Sequence, residues 1–298
     1  MTASISALVT EELAQPADPR AVAMAAALAS VYPGAARAVL FYGSCLREAN
    51  LDGLMLDFYL IVSDYRVAYG KSWLARANRL IPPNVFPFEH DGLIAKYAVL
   101  SEADFHRLCG PEADNVSVWA RFAQPTRLLW VADELARARA VVAVSRAAPT
   151  LLELAAPAAQ VDGPGDALHV WRTGFALTYG AELRAERNTR SGSIVDSDPD
   201  RYARFAAACP QRRTALFTAK DIAANARRWR ALQRRGKWLT VARLAKASFT
   251  FAGGIDYLAW KINRHAGTKI AIKPWQRRWP LLGAVTLLPR LFGTGAIR

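Results

Sequence analysis

One carboxylate interrupts an otherwise apolar run. The stretch MLDFYLIV at 55–62 carries Asp57 as its single charged residue. A charge in such a strand is costly to bury unless a partner or a metal meets it. Just upstream, FYGSC places Gly43-Ser44 at the end of another short apolar segment. The pattern predicts strand, Gly-Ser turn, then a second strand opening near Leu54. The Ser44 hydroxyl and nearby backbone N–H groups can hold phosphate oxygens. Asp57 can hold Mg²⁺ at the mouth of the sheet. Gly-Ser also occurs in many ordinary turns, and a lone strand Asp can cap a neighbouring backbone group.

The chain has 298 residues, 52% of them hydrophobic, which excludes a disordered polymer and supplies a sizeable core for one large or two small domains. The first twenty residues lack a basic region followed by an apolar core, so they do not read as a secretory signal. No apolar run approaches the ~18 residues of a membrane span. The nearest, LLGAVTLL at 281–288, is short and lies between Pro280 and Pro289. Cys45, Cys109 and Cys209 are odd in number and widely spaced, giving neither a disulfide framework nor a zinc pattern. A cytoplasmic protein is the expectation. His90, His106, His169 and His265 show no metal spacing, and neither a Walker loop nor a GxGxxG fingerprint is present.

Charge divides the chain sharply. Residues 211–298 hold 19 Lys/Arg and only two acids, Asp221 and Asp256, whereas residues 1–210 hold 20 Lys/Arg and 23 Asp/Glu. Such asymmetry points to a polyanionic partner for the C-terminal third, either nucleic acid or an anionic membrane, unless it is simply a solvated helix face.

Apolar spacing predicts a helix over 19–36, strands over 39–42 and 54–62, and a helix over 67–80 stopped by Pro82-Pro83. LIAKYAVL at 93–100 reads as a third strand, with Lys96 and Tyr97 in its middle. Ser101 and Asp104 form a capping-box pattern for the next helix. Helices are expected over 116–140 (broken near Pro125), 148–161, 168–186, 200–208 and 219–248, with VDGPGD and RNTRSGSIVDSDPDR as loops and Gly253-Gly254 as a break. Strands cluster early and helices dominate later, so the expected class is α+β.

Four segments, in order, resemble one family. They are FYGSC with MLDFYLIV, AKYAVLSEADF, VWARFAQPTRLL, and LTYGAELRAERNTRSGSIV. Together they cover roughly residues 39–210 and are similar to the mitochondrial-type phosphatidate cytidylyltransferases of the translocator assembly and maintenance group, within the nucleotidyltransferase superfamily; a bacterial-type homologue fits. The chain departs from the pattern at several places. Tyr59 stands where the superfamily usually has a second carboxylate, Gln124 where the third segment has Lys, and Ala181-Glu182 where the fourth has Gly-Asp. Phe86-Pro87 lacks the Asn of an expected aromatic-Asn-Pro element.

The resemblance implies a nucleotidyltransferase-like mixed sheet with flanking helices, followed by a mainly helical region and a basic amphipathic C-terminus. The implied division is 1–125 for the nucleotidyltransferase-like domain, 126–210 for a helical domain completing the site, and 211–298 for a basic membrane-interacting region. The implied reaction moves a cytidylyl group from CTP to phosphatidic acid, with Mg²⁺, giving CDP-diacylglycerol and pyrophosphate. Asp57 would be the principal metal ligand. Glu182 or Asp52 would supply a second carboxylate, with Glu182 favoured because Asp52-Gly53 is a turn signal. Lys96, Arg121, Arg184 and Arg187 would bind the triphosphate and the lipid phosphate. Gly43, Ser44 and Tyr97 would line the nucleotide site, and Asn188 contacts the nucleotide or ends its helix.

Residues 257–298 contain no acid, and interleave Lys261, Arg264, Lys269, Lys273, Arg277, Arg278, Arg290 and Arg298 with Trp260, Trp275, Trp279 and Phe292. Cations draw anionic lipids, and Trp favours the headgroup boundary. The expectation is peripheral attachment to the inner face of a membrane. Two other readings use the same features: a nucleotidyltransferase whose basic tail grips nucleic acid or protein, and a non-catalytic module that keeps the fold.

Overall fold

The computed structural model describes residues 3–47, 50–70, 72–161, 166–181, 194–209, 216–250 and 271–278. Five strands form one mixed sheet: β1 Ala36–Tyr42, β2 Met55–Val62, β3 Asn84–His90, β4 Leu93–Ser101 and β5 Thr126–Val131. Their spatial order is β3-β4-β2-β1-β5. β2 runs parallel to β4, and the other neighbours are antiparallel.

β2 lies in the middle of this order, and alternation sends its side chains into two separate cores. Leu56, Phe58, Leu60 and Val62 face one core, with Tyr97 of β4. That core is closed by α2 (Pro19–Ser30), which buries Ala21, Met24, Ala25 and Leu28. Tyr65 on α3 (Tyr65–Tyr69) and Ala75 on α4 (Ser72–Leu80) complete it. Tyr59 and Ile61 face the other core, together with Leu40, Ala98 and Leu100. There they meet α1 (Ile5–Leu13), α5 (Glu102–Cys109), α6 (Trp119–Phe122), α7 (Glu134–Val144) and α8 (Ala147–Val161). The same core continues through α9 (Ala167–Tyr179), α10 (Pro199–Ala208) and Trp229 and Leu232 of α11 (Ala219–Thr250).

The structure corrects several sequence expectations. The helix expected over 116–140 is α6, then β5, then α7. Pro125 ends the first helix, and Asp133 starts the last by accepting from the Ala136 N–H at 2.7 Å. Between them TRLLWV pairs with β1, supplying partners for backbone groups that would otherwise be an exposed edge. No strand is expected over 84–90 from sequence, yet β3 forms there as an edge strand, where the missing N–H of Pro87 is tolerated. The helix expected over 19–36 stops at Ser30, and Gly34, with φ +73°, turns the chain into β1. The helix expected over 67–80 is two helices, α3 ending on left-handed Gly70. Ser101 caps α5 as expected, accepting from the Asp104 N–H at 3.2 Å.

β5 lies beyond residue 125 yet completes the sheet, and α11 lies beyond 210 yet buries Trp229, whose indole N–H donates to the Leu154 carbonyl at 2.9 Å. One short helix, α12 (Pro274–Arg278), is described beyond α11. Glu134–Val161 is long and apolar enough to cross a membrane by length and composition, but 61% of its most apolar window is buried within the fold. Packing against the sheet accounts for its composition.

Two contacts tie the helical layer together. Arg201 of α10 is buried against Glu12 of α1, donating to Oε1 at 3.0 Å, and also donates to the Ala123 carbonyl at 3.1 Å. Its guanidinium lies 4.2 Å from the centroid of the Phe205 ring. At Gly236, α11 passes so close to Ala181 that an added Cβ would fall 2.1 Å from the Ala181 carbonyl oxygen. A methyl there forces two backbones apart, an overpacking that costs about 1–3 kcal/mol. Gly236→Ala is therefore expected to lower the midpoint of urea denaturation and the Tm, despite alanine's better helix propensity. An unchanged or raised midpoint would show that the two segments do not touch in this way.

Candidate functional site

The candidate site lies at one end of β1 and β2, on the face covered by α6. Register determines what meets there. Tyr42, the last residue of β1, pairs with Asp57 of β2, and Asp57 in turn pairs with Lys96 of the parallel β4. Paired positions share a face, so the three side chains project together. Lys96 Nζ lies 2.9 Å from Asp57 Oδ1, an oxygen that is itself buried. The two side chains are 31% and 22% exposed, so the ion pair is screened less than a surface pair.

Gly43 then turns the chain with φ +96°, a conformation that favours glycine. A Cβ at this position would lie 3.4 Å from Asp57 Oδ2, so the bare glycine backbone borders the second carboxylate oxygen. Ser44 follows, exposed, as the first residue of a short 3₁₀ helix, Ser44–Arg47. Gly-Ser thus sits where a phosphate could approach both backbone N–H groups and Asp57.

Arg121 completes the group from α6. It hydrogen-bonds the Tyr42 hydroxyl and donates to the Ser117 carbonyl. Burial pushes the Tyr42 phenol well up, and the negative charge of Asp57 adds to that; Arg121 pulls the other way. Tyr42 therefore stays a neutral hydroxyl between an anion and a cation. Ser117 and Asn115 extend the network to α11. Arg243 donates to Ser117 Oγ at 2.7 Å and to the Pro82 carbonyl at 2.8 Å. Lys246, one turn on, donates to the carbonyls of Ile81 and Pro83.

The structure thus brings Gly43, Ser44, Asp57, Lys96 and Arg121 together, five of the residues singled out from sequence. It sends Tyr97 to the opposite face, where its hydroxyl is 2.8 Å from that of Tyr32 in the other core. Adjacent strand residues alternate, so Lys96 and Tyr97 cannot both face Asp57. Asp52 is also directed elsewhere, accepting from Arg20 Nη1 at 2.7 Å with its side chain 68% exposed. Glu182, Arg184, Arg187 and Asn188 lie outside the described residues, as do Gly253-Gly254 and most of 257–298. Tyr42, Arg243 and Lys246 were not anticipated. Hairpin register would have pointed to Tyr42. Nothing in the sequence separates Arg243 and Lys246 from the solvated cations around them.

Among the described residues, no group of three His, Cys, Asp or Glu side chains could hold a metal. Asp57 offers one carboxylate with an oxygen bordered by Gly43. This donor set suits Mg²⁺ that arrives with a phosphate substrate, since such ions take one or two carboxylates and fill the rest of the shell with phosphate and water. A cavity of about 630 Å³ opens near Ala38 and Ile61, at the other end of the strands. No protein-family model matches the chain, and no curated protein matches it.

Lys246 carries a pH signature. Burial, and then the charge of neighbouring Arg243, push the Lys246 ammonium down from the usual lysine range near 10.5 to about 7. Between those limits the unfolded chain binds the extra proton, so this group makes stability rise with pH from about 7 to about 10. Below about 7 both states are protonated and the group's contribution is flat. Denaturation of the wild type and Lys246→Met across pH 6–10 should show this rise only in the wild type, in the difference between the two curves. Parallel curves would contradict the burial of Lys246.

Proposed function

We propose that this chain transfers a cytidylyl group from CTP to phosphatidic acid at a membrane surface, in the manner of the phosphatidate cytidylyltransferases it resembles. The observation that carries the reading is the convergence of the Gly43-Ser44 turn, Asp57, Lys96 and Arg121 on one end of the sheet. This group combines backbone donors, a carboxylate and two cations, which is the chemistry that a nucleoside triphosphate and a phosphate acceptor demand.

The acceptor phosphate is already ionised at neutral pH, so no strong general base is required. The barrier falls through positioning and charge neutralisation. Mg²⁺, held by Asp57 and substrate phosphates, would neutralise charge on the α-phosphate and the departing pyrophosphate. Lys96 balances Asp57 in the free protein and supplies positive charge to phosphate oxygens in the complex. Arg121, oriented by Tyr42 and Ser117, offers a planar fork for phosphate. The described residues supply one carboxylate to this work, and Glu182 is the candidate for a second.

The outer face of α11 supports the membrane part of the reading. Arg227, Arg230, Arg234 and Lys237 are exposed, and Trp238 among them is 74% exposed. The opposite face buries Trp229, Leu232 and Gly236. A cationic face bearing an indole suits an anionic headgroup layer. The same face could stack and grip RNA, the basis of the second reading, in which the acceptor is nucleic acid. The Leu-rich segment at 281–288 favours lipid.

The test is turnover of labelled CTP with Mg²⁺ and phosphatidic acid in anionic liposomes. Label should enter the lipid fraction, and Asp57→Asn should reduce turnover by about 100-fold or more, with Lys96→Met costing about 10–100-fold. Near-wild-type turnover in folded Asp57→Asn would remove Asp57 from the site. Absence of label in a protein that still binds CTP would redirect the search to RNA acceptors.

Liposome flotation separates the membrane contact from the chemistry. At ~1 kcal/mol per cation, the pair Arg230→Glu and Arg234→Glu should weaken liposome binding about thirtyfold or more. Unaltered flotation would mean that α11 does not meet the membrane.

A further inference from the structure

Arg121 is the cation of the candidate site whose placement the strands do not set. Asp57 and Lys96 are fixed by register within the sheet, whereas Arg121 stands on α6, a helix of four residues. So short a helix does not hold its shape unaided, and Val118 at its start supplies no side-chain cap. The orientation of Arg121 therefore depends on what holds the segment in front of α6.

That segment is held from α11. Asn115 and Ser117 are 3% and 4% exposed. Asn115 Oδ1 accepts from the Ser117 backbone N–H at 3.2 Å and from the Ser117 hydroxyl. Arg243 Nη1 donates to Ser117 Oγ at 2.7 Å, and its Nε donates to the Pro82 carbonyl at 2.8 Å. One planar fork thus grips two segments that are distant in sequence. Lys246 secures α11 to the same loop, donating to the Pro83 carbonyl at 2.8 Å. On its other side, Ser117 presents its carbonyl to Arg121 Nη1, and Arg121 also hydrogen-bonds the Tyr42 hydroxyl. A continuous path of hydrogen bonds runs from α11 through Ser117 to Arg121. Supporting bonds of this kind hold a ligand-binding side chain in its productive orientation.

We propose that Arg243 is a positioning residue for the nucleotide site: acting through Ser117, it holds Arg121 where the guanidinium can meet a phosphate. This role rests on the reading of the Asp57 end as a site for CTP and Mg²⁺. It makes the seating of α11 on the Ile81–Pro83 loop part of the site, so the helix with the cationic outer face also governs nucleotide affinity.

The test is a double-mutant cycle in the Kd for CTP, measured by calorimetric titration of the full chain with Mg²⁺ present. Arg121→Met and Arg243→Met should each weaken CTP about tenfold or more. The double variant should bind no more weakly than Arg121→Met alone, because Arg243 then has nothing left to position. Arg243→Lys keeps the charge and loses the fork, and should weaken CTP nearly as much as Arg243→Met. Should Arg243→Met fail to fold, Ser117→Ala takes its place in the cycle and should show the same non-additivity. Losses that add in the double variant would overturn the proposal, as would wild-type affinity in Arg121→Met, in folded Arg243→Met or in Arg243→Lys. A wild type that does not bind CTP would overturn the nucleotide site itself, and this role with it.

Discussion

A strand buried on both faces accepts a charge only where a cation can reach it, and β2 meets that condition at Asp57. Leu56, Phe58 and Leu60 go to one core, and Tyr59 and Ile61 to the other. Asp57 lies near the start of the strand, where the parallel register of β4 brings Lys96 to 2.9 Å. Removing either partner would leave the other charge half-buried and unmet, which is more costly than the pair itself. The need for two covering layers places α2 on one side and the α5 to α8 layer on the other. The need for a cation ties β4 to β2 in a single register. Gly43 then has to pass close to the carboxylate, and a side chain there would crowd Asp57 Oδ2.

Much of this was legible in the chain. The Gly-Ser turn, the apolar run with one acid, the LIAKYAVL strand and the Ser101 cap were all readable as local signals, because each depends on near neighbours. What escaped depends on partners distant in sequence. TRLLWV reads as part of a helix until β1 offers an open edge at Phe41 and Leu40. Pro87 disqualifies a strand unless that strand is known to be an edge. Lys96 and Tyr97 are adjacent in sequence and equally plausible as ligands; only the pairing with Asp57 shows which one faces the site. Likewise Asp52 and Asp57 are both acids near a turn, and the ion pair with Arg20 separates them.

The basic C-terminal third also divides on packing. Charge counting treats its cations alike, yet α11 uses them in two ways. Arg243 reaches inward to Ser117, Lys246 caps the carbonyls of Ile81 and Pro83, and Arg235 pairs with Asp114 at the surface. Arg227, Arg230, Arg234 and Lys237 remain in solvent around Trp238. The helix thus joins the sheet domain on one side and presents a cationic face on the other. Its inward contacts, through Ser117 to Arg121, lead to the Asp57 end of the sheet, so a surface that gathers at α11 lies next to the residues proposed for chemistry.

The central claim is that Asp57 and its neighbours receive a nucleotide together with its metal. Calorimetric titration of the full chain with CTP, with and without Mg²⁺, compared with Asp57→Asn, tests it most directly. The account requires CTP binding that strengthens with Mg²⁺ in the wild type and loses that metal dependence in Asp57→Asn. Binding that is indifferent to Mg²⁺ in the wild type, or equally metal-dependent in the variant, would contradict it.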